Sequence, residues 1–294
     1  MNNSSIVAGI DIGGSHITVA LVDLKTRSLL PGTHIRKLID SHGPANDIIT
    51  EWSSIINKAF KDTDCHKRIA IAMPGPFDYE EGISYIQNQN KYDSLYGLNV
   101  KSLLAESLQI DKSDILLKND AACFLQGEVF GGAAKGFKNA IGLTLGTGLG
   151  SAIFTNRISE DAKLWQSPFL DGIAEDYLST RWIVKRFYEM TGIMVQNVKE
   201  LFNVKTNGET LNEIFKEFGK NLALFLSGLI LIEQPGVIVF GGNIANAYSL
   251  FYDELNIHLP ATLYPIFLRK AELGENGSII GAASCWYQKL NPVG

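Results

Sequence analysis

The sequence predicts a mixed α/β fold built from two similar halves. Strand-like apolar segments alternate along the chain with amphipathic helix-like segments, which is the pattern of α/β proteins. A pair of apolar β runs broken by glycines occurs twice, at residues 6–22 and 139–155. Residues 9–13 align with residues 142–146, an offset of 133 from position 9 to position 142. This duplication predicts two lobes with a cleft between them.

Composition narrows the class of protein. The 294 residues are 46% hydrophobic and 19% charged, as in globular proteins, and suffice for one large or two medium domains. The net charge of -5 and the scattered Lys and Arg residues predict no nucleic-acid partner. The longest apolar run, residues 222–232, is shorter than the roughly 18 to 20 residues of a spanning helix, and the N-terminus lacks a signal-peptide pattern. Cys65, Cys123 and Cys285 fit no metal or disulfide spacing, so we expect a cytoplasmic protein without a membrane partner.

Local patterns predict the elements in order. The first β pair breaks at Gly13-Gly14, and the apolar face of a helix follows at Ile48, Ile49, Trp52, Ile55, Ile56 and Phe60. A strand at residues 69–72 ends in a turn rich in glycine and proline. After the second β pair we expect, in order, a long helix at about 210–234, a strand at 237–240, a further helix, and a final helix near 278–289.

Two glycine turns have the composition of phosphate-binding loops. In IDIGGSH, Gly13 and Gly14 allow backbone N–H groups to approach a phosphate, and Asp11 suits Mg²⁺ held through water. The alternative is a tight hairpin with an edge carboxylate. In TLGTGLGS, glycines and threonine hydroxyls alternate at residues 144–150, without the lysine of a Walker A loop. The alternative there is a plain flexible turn, although the pair of turns favours a polyphosphate ligand.

Two further segments each allow two interpretations. In VIVFGGNIA, Gly241-Gly242 permits close approach to a nucleotide base or ribose, while Asn243 is also a suitable helix N-cap. In LLKNDAACFLQGE, Asn119 or Asp120 either caps the helix that follows or places a catalytic base at the carboxyl end of a strand. Local sequence does not decide between these interpretations.

Five segments in order resemble the ROK family of sugar kinases, within the actin/hexokinase superfamily. They are IDIGGSHITVALVD, MPGPFDYEEG, LLKNDAACFLQGE, LTLGTGLGSAI and VIVFGGNIA, and they span nearly the whole chain. The resemblance implies two ribonuclease-H-like lobes that bind ATP and a hexose between them. We place the N-terminal lobe at residues 1–117 with a C-terminal helix at about 278–294, and the C-terminal lobe at 118–277.

The resemblance also implies roles for individual residues. Asp11 would organise Mg²⁺, Asp120 would be the catalytic base, and Asn119 would bind the sugar. Glu128 would give structural support. The phosphates and adenosine of ATP would contact Gly13, Gly14, Ser15, Thr144, Gly146, Thr147, Gly148, Gly241, Gly242 and Asn243. The sugar loop would add Gly75 with Asn88 or Asn90, whose register is open.

The chain departs from the family after the second glycine turn. Residues 155–179 contain no His and no Cys, so neither the Glu-x-Gly-His sugar motif nor the zinc motif is present, and no zinc site is expected. Glu175 aligns with a family glutamate and is a candidate sugar ligand. Glu160, Asp161 and Asp171 are the alternatives. Packing of Trp165 and Phe169 would substitute for the metal.

These features predict an ATP- and Mg²⁺-dependent hexose kinase, with glucose or a related hexose as acceptor and a homodimer possible by analogy. An N-acetylhexosamine acceptor and a polyphosphate donor remain open. The rival interpretation is a sugar-binding or regulatory protein with little or no catalysis. No helix-turn-helix is expected, because the first β segment begins by about Ile6.

Overall fold

The computed structural model describes residues 5–204 and 208–291, and the chain divides into two compact units. The first unit comprises Met1–Lys135 and Glu275–Gly294, and the second comprises Gly136–Gly274. The described strands are β1 (Ile6–Ile12), β2 (His16–Asp23), β3 (Ser28–Leu29), β4 (Ile35–Leu38), β5 (Ile69–Met73), β6 (Phe77–Asp78), β7 (Ile83–Ser84), β8 (Ile115–Asn119), β9 (Ala140–Leu145), β10 (Leu149–Thr155), β11 (Ile158–Asp161), β12 (Pro168–Phe169), β13 (Gly172–Ile173), β14 (Val237–Gly241) and β15 (Phe267–Lys270).

The described α-helices include each of those that the sequence predicts. They are α1 (Ala45–Ala59), α2 (Val100–Leu108), α3 (Asp120–Gly131), α4 (Ala174–Tyr177), α5 (Thr180–Thr191), α6 (Val198–Leu201), α7 (Gly208–Glu233), α8 (Tyr248–His258) and α9 (Gly277–Leu290). Among the described residues, no helix is both long enough and apolar enough to cross a membrane.

The first unit contains a six-stranded mixed sheet. Its order is β3-β2-β1-β5-β8, and β4 also pairs with β2. Strand β1 is antiparallel to β2 but parallel to β5, which in turn is parallel to β8. Because side chains alternate along a strand, Ile10 and Ile12 enter the core with Trp52 of α1. Gly9 and Asp11 therefore lie on the opposite face, where Gly9 meets Ile279 of α9.

The second unit has a five-stranded sheet with the same arrangement. Its order is β11-β10-β9-β14-β15, with β9 antiparallel to β10 and parallel to β14. Helix α7 lies over this sheet and buries aromatic side chains in its core, among them Phe215 and Phe218. Each glycine-broken β pair thus forms the central hairpin of its own sheet. The duplication that the sequence predicts is therefore confirmed in the strand order.

Helix α3 belongs to the first unit because it packs closely on α9. A Cβ at Gly127 would lie 2.1 Å from the carbonyl oxygen of Gly277, and one at Gly281 would lie 1.7 Å from that of Cys123. Only glycine allows two helix backbones to approach this closely. The boundaries between the two units fall after Lys135 and before Glu275. The sequence analysis placed the lobe boundaries at 117/118 and 277/278.

Glu128 gives α3 a fixed C-terminal end. Its side chain is fully buried, and its Oε2 accepts a hydrogen bond from the backbone N–H of Ala133 at 2.7 Å. Its carbonyl oxygen accepts from the N–H groups of Gly132 and Ala134. These bonds support the structural role that the sequence assigned to Glu128.

Candidate active site

Three parallel strands of the first unit end at the same edge of the sheet. Asp11 is paired with Ala72 of β5, and Met73 is paired with Asn119 of β8. The ends of β1, β5 and β8 therefore bring Asp11, the 73–76 turn and the Asn119-Asp120 pair to one edge. These segments are far apart in sequence, and the carboxyl edge of parallel strands is where α/β proteins place ligand-binding groups.

The pKa of Asp11 is raised by its surroundings, which include the carboxylate of Asp120. Burial is the main effect that raises the pKa of Asp11, to about 6, and the negative charge of Asp120 raises it further. Arg36 lowers this pKa, while Glu275 raises it. The Arg36 guanidinium is itself paired with Glu275 at 2.8 Å. A carboxyl group whose pKa is raised to about 6 strongly favours binding a proton or having a cation beside it.

The structure distinguishes Asn119 from Asp120, for which the sequence left open either helix capping or a role as catalytic base. Asn119 is the N-cap of α3, and its Oδ1 accepts a hydrogen bond from the N–H of Ala122 at 3.0 Å. Asp120 is the first helical residue, and its Oδ1 accepts from the N–H of Ala121 at 2.8 Å. Capping therefore belongs to Asn119. Asp120 is half-buried at the strand edge, in the position the sequence predicts for a base.

Tyr79 connects Asn119 to the 73–76 turn. The Asn119 amide donates to the Tyr79 hydroxyl at 3.4 Å, and that hydroxyl donates to the carbonyl of Met73 at 2.9 Å. A Cβ at Gly75 would lie 3.2 Å from the same hydroxyl oxygen. The structure therefore brings Gly75 close to Asn119 through Tyr79, a residue that the sequence analysis did not single out.

Tyr92, which is distant in sequence, holds the first glycine turn through a side-chain hydrogen bond. The N–H of Gly13 donates to the carbonyl of His16 at 2.9 Å, while the carbonyl of Gly13 accepts from the Tyr92 hydroxyl. Tyr92 is fully buried, and Gly14 and Ser15 are exposed. The signal for Tyr92 in the sequence is a lone aromatic residue within the polar stretch QNQNKYD.

Asn88 and Asn90 lie in the loop that leads to Tyr92. Both are exposed and adopt left-handed backbone conformations, with φ of 59° and 56°. Asparagine tolerates this conformation better than most residues. The N–H of Asn88 donates to the side chain of Asp93 at 2.7 Å. Their role as sugar ligands stays a prediction.

In the second unit, two glycine turns lie side by side. Thr144 of β9 is paired with Gly241 of β14, and a Cβ at Gly242 would lie 2.4 Å from the carbonyl oxygen of Leu145. Gly242 has a φ of 81°, which favours glycine. Asn243 is exposed and makes no side-chain capping bond to the 3₁₀ turn that follows it. Asn243 therefore occupies the N-cap position without capping the turn through its side chain.

The turn between β9 and β10 is closed by its own backbone. The N–H of Gly146 donates to the carbonyl of Gly148 at 3.0 Å, and the carbonyl of Gly146 accepts from the N–H of Thr180 at 2.7 Å. Thr147 is exposed at the tip. A Cβ built at Gly146 has no heavy atom within 4 Å. The backbone of the turn is therefore open to a ligand on that side.

Glu175 supports this turn. Its Oε2 accepts a hydrogen bond from the N–H of Leu149 at 3.0 Å and would lie 2.6 Å from a Cβ at Gly148. Its Oε1 forms an ion pair with Arg181. The structure thus places Glu175 against the second glycine turn. The assignment of Glu175 as a sugar ligand stays a prediction.

The rebuilt segment that replaces the zinc motif contains a small hairpin. Phe169 of β12 is buried, and its ring stacks edge-on against Tyr177 at 5.5 Å and Phe225 at 5.8 Å. Trp165, by contrast, is 44% exposed. Packing at this hairpin therefore involves Phe169, and the expectation that Trp165 packs with it is wrong. Of the alternative sugar ligands, Glu160 and Asp171 are exposed, while the side chain of Asp161 accepts from the N–H of Lys163.

The donor chemistry at the first-unit edge fits a magnesium ion. Mg²⁺ is bound by one or two carboxylates and keeps several waters. Asp11 supplies one such carboxylate, and the negative charge of Asp120 increases the attraction of this edge for a divalent cation. Within residues 5–204 and 208–291, no cluster of three or more His, Cys, Asp or Glu side chains suited to a metal is present.

Comparison with known proteins agrees with this arrangement. A model of the ROK family matches residues 7–160. The N-acetyl-D-glucosamine kinase of Pectobacterium carotovorum subsp. carotovorum (strain PC1) is 25% identical over 316 residues, covering 94% of this chain and 97% of the relative. The crystal structure of a ROK hexokinase from Thermus thermophilus matches with a TM-score of 0.79 at 20% identity, covering 97% of this chain and 99% of that one.

A further solved structure holds ligands. It is a ROK family glucokinase from Streptomyces griseus in complex with glucose and AMPPNP, with a TM-score of 0.74 at 19% identity, covering 95% of this chain and 98% of that one. The chain therefore shares the fold of these ROK sugar kinases. The chain belongs to the ROK family.

Proposed function

We propose that the protein is an ATP-dependent kinase that transfers the γ-phosphate to a hydroxyl group of a hexose or an N-acetylhexosamine, with Asp120 as general base. The observation that carries the proposal is the meeting of Asp120, Asn119 and Asp11 at one edge of the first-unit sheet. Each of these residues has a different task in phosphoryl transfer.

Asp120 orients the acceptor hydroxyl and takes its proton as transfer proceeds. A sugar hydroxyl is a weak nucleophile, and general-base assistance of this kind contributes roughly 10² to 10⁴ in rate. The hydrogen bond from the N–H of Ala121 holds the carboxylate at the start of α3.

Asn119 positions the sugar. Its side-chain oxygen Oδ1 caps α3. Its side-chain nitrogen Nδ2 donates to the Tyr79 hydroxyl at 3.4 Å, which is a long and weak hydrogen bond. The amide is therefore the part of Asn119 that would exchange its partner for a sugar hydroxyl. Because the cap holds the side chain in place, little conformational entropy is lost when the sugar binds.

The phosphates of ATP would be held by the open backbone of the two glycine turns, each described above in its own unit. Gly13, Gly14 and Ser15 belong to the first turn, and Thr144 with residues 146–148 belongs to the second. Gly241, Gly242 and Asn243 would flank the adenosine. Mg²⁺, when bound beside Asp11, would neutralise charge on the transferring phosphoryl group.

The acceptor is proposed as a class that includes glucose and its N-acetylated amino derivatives. The relative from Pectobacterium, matched over nearly its whole length, is named an N-acetyl-D-glucosamine kinase. The segment that would contact the acceptor, residues 159–175, departs from the family motif. The preferred sugar must therefore be identified by experiment. Glu175, Asn88 and Asn90 are the side chains proposed to tune that preference.

The test is a panel of acceptors with Mg-ATP. Glucose, mannose, N-acetylglucosamine and N-acetylmannosamine are each incubated with the protein, and ADP release is measured. We expect turnover with at least one sugar and a loss of roughly 10² to 10⁴ in kcat for Asp120→Asn. Asp114→Asn is the matched control, since Asp114 pairs with His66 outside the candidate site.

Two results contradict the proposal. One is the absence of ADP release above background for every sugar, together with tight sugar binding by calorimetry, which favours a sugar-binding protein without catalysis. The other is an Asp120→Asn variant that keeps its full kcat. Turnover with polyphosphate but not with ATP would keep the catalytic role of Asp120 and overturn the donor.

A further inference from the structure

The side chain of Lys91 lies against the first glycine turn. A Cβ built at Gly14 would meet the Lys91 Cδ at 3.3 Å, so the aliphatic stem of Lys91 covers the exposed side of this glycine. The ammonium group is only two bonds beyond Cδ. Lys91 is distant in sequence from Gly14 and follows Asn90 in the loop that resembles the family's sugar loop.

The loop that carries Lys91 is anchored at the next residue. The N–H of Tyr92 donates to the carbonyl of Ser41 at 2.7 Å, and its hydroxyl donates to the carbonyl of Gly13. Its ring packs edge-on against Trp52, with centroids 5.4 Å apart. These contacts fix the backbone at Tyr92, and this anchored backbone places the aliphatic part of the Lys91 side chain over Gly14.

The ammonium of Lys91 is available to a ligand. It makes no hydrogen bond or ion pair with the residues that the structure describes, although its side chain is partly buried. Arg36, a second cation near this edge, is already paired with Glu275. Asp11 and Asp120 make the edge electronegative, so a bound phosphate requires added positive charge. Lys91 lies beside the turn and supplies such a charge without breaking any ion pair among the described residues.

We propose that Lys91 is a phosphate-binding residue of the first glycine turn, with its ammonium contacting a phosphate group of the phosphoryl donor. This inference rests on the proposed function, because it takes the turn at Gly13 and Gly14 to be a phosphate site. A lysine ammonium is a compact point charge with three donors, which suits a terminal phosphate group. The role of Lys91 is to bind and orient that group beside the acceptor.

The test compares Lys91→Met with Lys91→Arg. Methionine keeps the flexible apolar stem that covers Gly14 but removes the charge, so a purely structural role of Lys91 would survive this change. Lys112→Met is the matched control, because Lys112 is exposed in the 3₁₀ turn before β8, at the opposite end of that strand from Asn119. Unfolding midpoints of all variants are measured first.

Binding is then measured by calorimetry with two probes, tripolyphosphate and adenosine. We expect Lys91→Met to weaken tripolyphosphate binding by about 10-fold or more, the loss typical of one charge-assisted hydrogen bond. Adenosine binding is expected to stay unchanged in all variants. Lys91→Arg should keep most of the affinity for tripolyphosphate, and Lys112→Met should keep all of it. In turnover assays the KM for Mg-ATP should rise in Lys91→Met.

The two proposals fail in different ways. If the wild type binds tripolyphosphate and Lys91→Met weakens that binding, the inference holds even when no sugar is phosphorylated. If the wild type phosphorylates a sugar but Lys91→Met binds tripolyphosphate as tightly as Lys112→Met, the inference is overturned and the kinase proposal stands. A wild type that does not bind tripolyphosphate overturns the inference directly.

Discussion

Asp11, near the end of β1, and Asp120, at the start of α3, occupy the same edge of the first-unit sheet, and the charge of Asp120 raises the pKa of Asp11. After burial, the charge of Asp120 is the largest effect that raises the pKa of Asp11 to about 6. Two like charges held together in this way store repulsion that a cation relieves. The arrangement therefore fits Asp120 as the proposed base and Asp11 as the proposed metal-binding residue.

Removing the charge of Asp120 should lower the pKa of Asp11. In Asp120→Asn the side chain keeps its size, while the Coulombic contribution to the raised pKa is lost. We expect the titration of the Asp11 carboxyl carbon, followed by NMR, to move below pH 6. Asp114→Asn should leave it in place. An unchanged titration in Asp120→Asn would show that the two carboxylates do not interact.

Asp11 should make the protein less stable as the pH rises. Its pKa of about 6 in the folded state exceeds the ordinary value of 3.8, so folding favours the protonated form. The stability gained from that form is present below about pH 4 and is lost as the pH rises through 6. Asp11→Asn should therefore raise the free energy of unfolding at pH 8, by up to about 3 kcal/mol, and leave it nearly unchanged at pH 4.

Urea denaturation of wild type and variant at several pH values measures this difference. Asp62→Asn is the control, because Asp62 is an exposed carboxylate in a turn. An Asp11→Asn variant with the same stability gain at pH 4 and pH 8 would contradict the assigned cause.

The two glycines of the second turn should respond differently to alanine. A Cβ at Gly148 would lie 2.6 Å from the Glu175 Oε2, so Gly148→Ala should displace this carboxylate from the N–H of Leu149 and lower the free energy of unfolding by about 0.5 to 1.5 kcal/mol. Gly146 has open space at this position, so Gly146→Ala should keep the stability. If the turn binds phosphate, Gly146→Ala should nevertheless raise the KM for Mg-ATP. Equal stability losses in the two variants would contradict this steric account.

Asn119 should have two separable functions. Serine is also a good N-cap, so Asn119→Ser should keep most of the stability, whereas Asn119→Ala should lose about 1 kcal/mol. Both variants lack the amide group and should bind the sugar more weakly. Chemical denaturation and sugar calorimetry separate these effects. Sugar binding by Asn119→Ser equal to that of the wild type would limit Asn119 to capping.

The contact between α3 and α9 should tolerate no side chain at Gly281. A Cβ there would overlap the carbonyl oxygen of Cys123, so Gly281→Ala should cost at least about 2 kcal/mol of stability. Gly228 in α7 is the matched control, since a Cβ there meets nothing within 4 Å. Gly228→Ala should stabilise the protein by about 0.5 to 1 kcal/mol. Thermal unfolding of the two variants should therefore shift in opposite directions.

Most of the elements follow from local patterns in the sequence. The apolar face of α1, the strand at β5 and the long helix α7 appear where side-chain periodicity predicts them. The repeated glycine-broken hairpins correctly indicate two sheets of the same order. The short strands β6, β7, β12 and β13 were not predicted, because two-residue strands are too short to show a period.

The sequence by itself determined the ROK motifs, the duplicated hairpins and the residue types available for phosphoryl transfer, because hydrophobic period and glycine position are local properties of the chain. Only the tertiary structure decided how those residues are held. Tyr92 binds Gly13, Glu175 packs against Gly148, and Asp120 shifts the pKa of Asp11. Each relationship joins residues far apart in sequence, and its strength depends on distance and burial, which exist only once the chain is folded.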